Sequence, residues 1–261
     1  MPGKVYIVGA GPGSPDLLTV RAARLLRCAQ LVLHDDLVSP ELLQLVPGTA
    51  EIVNVGKRCG SRQTSQQKIN ALMIWHAQNG RDVVRLKSGD PAIFGRLGEE
   101  LDALRRAGVG FEIVPGVTAA SAGAAAAELT LTDRRAASSI LFLSAHNARN
   151  ERLASGSLAA ENTTYVVYMP GPDYASIAGD LIRAGVSADA PCALVSNAGR
   201  TDERVCRMLL ADLPFAAGIV PPALLIIGRV AQTAHHEAEA DLSPALEGIH
   251  ASVGLPLSAG D

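Results

Sequence analysis

The residues whose types and spacing could do chemistry are concentrated between positions 83 and 100. There the apolar pair Val83 and Val84 leads into Arg85, Lys87, Asp90, Arg96, Glu99 and Glu100. Cations gathered at one loop can hold an anionic ligand through charge-assisted hydrogen bonds, and a purely structural loop has no need of such a cluster. Gly89-Asp90-Pro91 turns the backbone as the strand ends, and Arg96, Glu99 and Glu100 follow at helical spacing. Open α/β sheets bind their ligands at that edge.

A second loop of this kind follows the strand Val5-Tyr6-Ile7-Val8, where Gly9-Ala10-Gly11-Pro12-Gly13-Ser14-Pro15-Asp16 precedes a helix. A dinucleotide fingerprint would need glycine at position 14, which is Ser, and Pro12 removes an amide that could have faced a phosphate. A loop that approaches a small ligand through its backbone fits better than a pyrophosphate cradle. Taken alone, the segment also reads as a tight strand-to-helix turn without a ligand.

At 261 residues, 48% of them hydrophobic and 19% charged, the chain can fill the cores of two compact domains. Aromatic residues are only 3% and the net charge is -3, which argues against a stacking platform for single strands and against general phosphate-backbone binding. No nucleic-acid partner is expected. Cys28, Cys59, Cys192 and Cys206 form no C-x-x-C pair, His76 has no second ligand at a matching position, and His235 and His236 are adjacent. No metal site is expected from them. The N-terminus lacks a secretory pattern and no apolar run is long enough to span a bilayer, so a cytoplasmic location without membrane partners is the expectation.

The elements that must position these loops can be read from periodicity. Strands are expected at 5 to 8, 31 to 33, 51 to 55, 82 to 86 and 111 to 114, alternating with helices, and again at 139 to 144, 164 to 168, 191 to 195, 204 to 208 and 223 to 227. The rhythm is that of an α/β protein with mostly parallel sheets. Leu18, Ala22, Leu25 and Leu26 repeat at helical spacing, leaving Arg21, Arg24 and Arg27 to water. Thr64 and Gln67 have capping-box spacing at the start of a helix that stops at Gly80. The Ala- and Ser-rich run after Pro115-Gly116 predicts a helix that permits close backbone approach. These features divide the chain into domains at 1–115 and 116–232 and a mobile tail at 233–261.

Six segments in order carry a resemblance: VGAGPGSPDLLT near the start, HDDLVS at 34–39, VGKR at 55–58, RLKSGDPAIFGRLGEE at 85–100, VPGVTAASA at 114–122 and PPALLIIGRV at 221–230. Between about Val5 and Val230 the chain resembles the S-adenosylmethionine-dependent tetrapyrrole methylase family. The resemblance implies two αβα domains with mostly parallel or mixed sheets and an active-site cleft between them. It also implies S-adenosylmethionine as methyl donor, a homodimer, and methyl transfer to C2 and C7 of uroporphyrinogen III, giving precorrin-2 by way of precorrin-1. By the same resemblance Pro12, Ser88, Gly89, Asp90, Ile93, Thr118, Ala119, Met169 and Ala198 contact the cofactor, Asp35 accepts a proton and Lys57 donates one. Without it, Met169 reads as core packing, Asp35 as a loop or capping residue, and Lys57 beside Arg58 as a carboxylate partner.

A polycarboxylate substrate needs local cations, and Lys57, Arg58, Arg62, Arg85, Lys87, Arg96, Arg134 and Arg135 are the available set. Arg96 and Arg134 are expected to contact substrate, with Glu99 orienting the Arg96 guanidinium or simply forming an exposed helix pair. Three positions depart from the family pattern. Ser88 replaces a usual Gly, as in precorrin-4 methylases, Asp133 replaces a usual His, and Leu97 replaces a usual Gly. The rival readings are a methylase of a later corrin precursor such as precorrin-4, a nicotinamide-dependent oxidoreductase built on Gly9, Gly11 and Gly13, and a non-catalytic tetrapyrrole sensor. No dehydrogenase or ferrochelatase module is expected on this chain, so the downstream pathway, sirohaem, cobalamin or haem d1, stays open.

Overall fold

The computed structural model describes residues 2–56, 64–145, 158 and 162–232. Five strands, β1 (Val5–Gly9), β2 (Leu31–His34), β3 (Glu51–Asn54), β4 (Val83–Lys87) and β5 (Phe111–Val114), form a sheet of order β3-β2-β4-β1-β5. All its paired strands are parallel. Side chains alternate across such a sheet. Val8, Val32, Val84 and Leu86 therefore pack with Ala22 and Leu26 of α1 (Val20–Arg27) and Leu42 of α2 (Pro40–Leu43). On the other face Ile7, Leu31, Leu33 and Val83 meet Ile69 and Met73 of α3 (Gln66–Gln78) and Leu104 of α4 (Leu97–Arg106).

This order places the loops after β1 and β4 side by side. The chain leaves β1 for β2 by way of α1 on one face, and leaves β4 for β5 by way of α4 on the other. Neighbouring strands whose connections diverge in this way open a crevice at their C-terminal ends.

Local capping follows the sequence closely. Thr19 accepts a hydrogen bond from Ala22 N at 3.2 Å and caps α1. Ser65 caps α3, accepting from Lys68 N at 3.2 Å, so the helix starts one residue after the expected Thr64 cap. Either hydroxyl could cap, and the backbone register selects Ser65. Arg21, Arg24 and Arg27 are exposed, and Arg21 pairs with Glu112. His76 is buried on α3, where desolvation and then Arg81 push its imidazole below the usual range.

The second sheet contains β6 (Ser139–Ser144), β7 (Thr163–Tyr168), β8 (Pro191–Ser196), β9 (Arg204–Leu209) and β10 (Ala223–Ile227), in the order β6-β7-β10-β8-β9. Only β6 and β7 pair in parallel, so this sheet is mixed and mostly antiparallel, unlike the first. The short reversal between β8 and β9 and the return of β10 between β7 and β8 impose those directions. The helix α6 (Tyr174–Arg183) packs Ile177 and Leu181 on Tyr165, Val167, Leu194 and Leu225. The small-residue helix α5 (Ala119–Ala126) covers the other face, with Ala120 and Ala124 against Val166, Leu224 and Ile226. A β-carbon at Gly123 would lie 2.8 Å from Leu224 Cδ2, so a larger residue there would have to turn that side chain aside. The molecule is thus built from two α/β domains. None of its described helices is long and apolar enough to cross a membrane.

Candidate active site

The site is assembled where the loops after β1, β4 and β5 meet. Gly11 N donates to Gly89 O at 3.1 Å, and Gly89 N donates to Gly11 O at 2.8 Å. Both glycines have φ near the left-handed region, at 68° and 67°. The third loop joins through Gly116, whose hypothetical β-carbon would lie 2.4 Å from Gly89 O, and through Gly9, whose own would lie 2.6 Å from Gly116 Cα. No larger residue fits without moving backbone. Asp90 ties the cluster from within, accepting from Ala92 N at 2.8 Å through Oδ1 and from Gly116 N at 3.0 Å through Oδ2. Its carboxylate was expected to serve the cofactor; both oxygens are engaged by these loops.

The outer side of the cluster is open. A β-carbon at Gly89 would meet nothing within 4 Å. Backbone and small side chains there suit a flat nucleoside resting on the backbone rather than a phosphate held by amides. The residues present therefore fit an adenosyl cofactor.

The second domain supplies the remaining wall. Met169 directly follows β7 with φ 52° and is 44% exposed, so core packing does not describe it. Tyr168 before it lies within 2.6 Å of Thr118 Oγ1, accepts from Ala120 N at 3.3 Å, and stacks at 5.0 Å between ring centres with Phe94. Burial pushes its phenol above the usual range. Ile93 and Ala119 pack against the same apolar cluster. Ala198 lies between Asn197, with φ 52°, and Gly199, which packs against Leu17 and Pro12. Arg200 then reaches across, donating from Nη2 to Leu37 O at 2.7 Å and from Nε to Pro12 O at 3.3 Å. The structure thus gathers Pro12, Ser88, Gly89, Asp90, Ile93, Thr118, Ala119, Met169 and Ala198 on contiguous loops.

Asp35 extends beyond β2, its N–H donating to Leu86 O at 3.1 Å and its Oδ1 accepting from Arg85 Nη2 at 2.5 Å. Arg85 Nε and Lys87 Nζ each donate to Glu100 Oε1 at 3.0 Å, joined by Gln66 Nε2 at 3.3 Å. Arg85, Lys87 and Glu100 are 2%, 3% and 0% exposed. This corrects the expectation that Arg85 and Lys87 belong to the cations available to a substrate, because both point into the sheet face shared with Val83. Desolvation opposes the charge on Arg85, but the Asp35 and Glu100 carboxylates outweigh it and raise the guanidinium above its usual value. Burial, then the neighbouring Arg85, pushes the Lys87 ammonium down. Glu100 Oε2 is buried without a partner among the described residues.

Lys57, Arg58 and Arg62 lie outside the described residues, as do Cys59, His235, His236 and the segment 233–261. The residue before Lys57, Gly56, runs so close to Asp36 of the HDDLVS segment that a β-carbon would fall 2.1 Å from Asp36 N.

Arg96 and Glu99, which follow the Ser88–Ile93 loop in the chain, are 44% and 53% exposed and joined by Nε to Oε1 and Nη2 to Oε2 bonds of 2.7 Å each. The orienting role and the exposed helix pair are here the same contact. Leu97 is accommodated as the first residue of α4, while the left-handed conformation, φ 53°, falls on Arg96. Arg134 is exposed and makes no ion pair among the described residues. Asp133 beside it is clamped by Arg135 Nε at 3.1 Å and Nη2 at 2.9 Å. Those bonds, with one from Arg135 N, hold its carboxyl down at about 2. Arg135 is thereby paired locally while its side chain stays exposed.

Sequence reasoning missed Tyr168, Arg200 and the role of Glu100. A signal existed for Glu100, since Arg85 and Lys87 share strand parity with Val83 and so needed a buried counter-charge.

The geometry defines a two-domain α/β enzyme with a ligand site at converging strand ends, and the chain belongs to the tetrapyrrole (corrin/porphyrin) methylases, whose family model matches residues 4–214. It is 46% identical over 233 residues to the uroporphyrinogen-III C-methyltransferase of Pseudomonas aeruginosa, covering 88% of this chain and 95% of that protein. It is 44% identical over 237 residues to sirohaem synthase 1 of Yersinia enterocolitica, covering 90% of this chain but 50% of that protein, so it spans half of that relative. The crystal structure of uroporphyrin-III C-methyltransferase from Thermus thermophilus complexed with S-adenosylhomocysteine superimposes with a TM-score of 0.74 at 39% identity, covering 88% of this chain and 94% of that one. Family membership sets aside the nicotinamide-dependent oxidoreductase reading.

Proposed function

We propose that the protein transfers methyl groups from S-adenosylmethionine to C2 and C7 of uroporphyrinogen III, forming precorrin-2 by way of precorrin-1. The observation that carries this reading is the 46% identity spanning nearly the whole of a relative that bears the corresponding name. When bound, the cofactor supplies an electrophilic methyl carbon on a sulfonium. The loops at Gly9–Gly13, Ser88–Ile93 and Pro115–Ala119 would hold it, with Met169 as a polarizable wall. Arg96, oriented by Glu99, and Arg134 bind carboxylates of the macrocycle, and Asp35 takes the proton that the macrocycle loses. Lys57 is proposed as the proton donor.

We further propose a division into domains at 1–115 and 116–232, supported by the packing of α5 on the second sheet. A homodimer is supported by the exposed apolar side chains Phe215 and Val220, and a cytoplasmic location by the free thiols Cys28, Cys192 and Cys206.

Anaerobic incubation of the protein with S-adenosylmethionine and uroporphyrinogen III, read by mass spectrometry, tests the activity. A dimethylated product is expected. Methyl groups added to precorrin-4 but not to uroporphyrinogen III would overturn the substrate while leaving the family intact. Cofactor binding with no turnover on either would favour a sensor.

A further inference from the structure

Arg85 is the largest fully buried side chain among the described residues, on a sheet face that, Lys87 apart, is built from apolar residues. Ile7 and Leu33 are its register partners on the two flanking strands. A buried ion pair is often no better for stability than apolar residues of the same volume, so packing alone gives no reason for Arg85, Lys87 and Glu100. The arrangement has a direction. Glu100 fixes Arg85 through Nε, and the carbonyls of Leu33 and Leu86 accept from Nη1 at 3.3 and 3.4 Å. What remains, Nη2, reaches the partly exposed Asp35. Only Oδ1 of Asp35 is engaged; Oδ2 accepts no hydrogen bond among the described residues. Two cations and two carboxylates make up the group, so an ionised Asp35 completes its neutrality.

We propose that Arg85 and Glu100 are positioning residues for Asp35: a buried guanidinium, itself oriented by a buried carboxylate, holds one oxygen of Asp35 and leaves the other to the substrate. The inference rests on the reading of Asp35 as the proton acceptor. Among the described residues, the remaining titratable groups around Asp35 are Lys87 behind Glu100, His34, whose Nδ1 lies 2.9 Å from the Asp35 carbonyl oxygen, and Asp36 on the same loop.

The test uses the full chain with Asp35→Asn, Arg85→Met, Glu100→Gln and the double variant Arg85→Met/Glu100→Gln. Methyl-transfer rates are measured against pH, and S-adenosylhomocysteine affinity by calorimetry. A positioned base contributes roughly 10²- to 10⁴-fold, so loss of its orientation should slow turnover about 10-fold or more in the double variant, with cofactor affinity unchanged. The pH–rate profile should change in Arg85→Met and Glu100→Gln, a readout that a merely structural role would not move. If Arg85→Met alone does not fold, Glu100→Gln and the charge-balanced double variant still decide. Wild-type rates and profiles in those two, with Asp35→Asn slow, overturn the proposal and spare the base. Cofactor affinity lost in step with turnover also overturns it, marking the pair as scaffold. A wild-type rate in Asp35→Asn removes the base itself, and the proposal with it.

Discussion

The phenol oxygen of Tyr168 and Oγ1 of Thr118 lie 2.6 Å apart, joining the end of β7 in the second domain to the cap of α5 beside the glycine loops of the first. The same phenol accepts from Ala120 N. Replacing it removes both bonds while keeping the ring contacts with Phe94 and Phe142. Tyr168→Phe should cost about 1 to 3 kcal/mol, since the Ala120 amide is left buried and unpaired. Thermal unfolding should show the loss, and calorimetry should show weaker S-adenosylhomocysteine binding. Unchanged values in both would remove Tyr168 from the frame of the site.

Backbone crowding at Gly116 predicts a different response. Gly116→Ala places a methyl group 2.4 Å from Gly89 O, so the loops must part. Overpacking of this kind costs about 1 to 3 kcal/mol, and the shift falls on the proposed cofactor loops. Cofactor affinity should drop at least as far as stability. Gly48→Ala, where a β-carbon meets nothing within 4 Å, is the control that should leave affinity unchanged.

Arg96→Ala should separate substrate capture from folding. The Arg96–Glu99 pair is about half exposed and contributes about 0.2 to 1 kcal/mol at most, so Tm should hardly move. Michaelis constants for the tetrapyrrole should rise while cofactor affinity holds, and the salt dependence of kcat/KM should weaken because one cation fewer faces the polyanion. An unchanged Michaelis constant would show that Arg96 does not touch substrate.

Acid titration addresses the departure at Asp133. Arg135 depresses its carboxyl to about 2 in the folded chain, below the usual carboxylate range. A depressed value means that the folded state favours the ionised form. Its contribution to stability is therefore fully present above the unfolded value and is lost as pH falls toward 2. In urea unfolding Asp133→Asn should be the less stable protein at pH 7, and the gap should close in that acid window. A carboxyl that titrates by NMR in the ordinary range would mean that Arg135 does not hold it in solution.

Much of this was legible in the sequence because strand and helix periods are local. Most of the described strands fall where apolar runs end near glycine, proline or aspartate, as at Leu86-Lys87-Ser88-Gly89. Pairing direction is only partly local: the seven residues between β8 and β9 are too few for a parallel crossover and mark a reversal, but nothing there announces that β10 inserts beside β8. Arg85 and Lys87 were read as ligand-facing because they adjoin the loop, although their parity with Val83 turns them inward onto Glu100. Arg200 could not be read as a bridge, since its acceptors, Pro12 O and Leu37 O, are remote in the chain. Met169 was legible only through resemblance; its exposure comes from a left-handed residue just beyond β7.

A crystal structure of the protein with S-adenosylhomocysteine bears most directly on the central claim that converging glycine loops seat the methyl donor. The ligand should lie against Gly89 and Ile93, with Met169 and Ala198 on its far side and Asp90 still bonded to Gly116. Electron density for the ligand elsewhere, with the open face of Gly89 untouched, would contradict it.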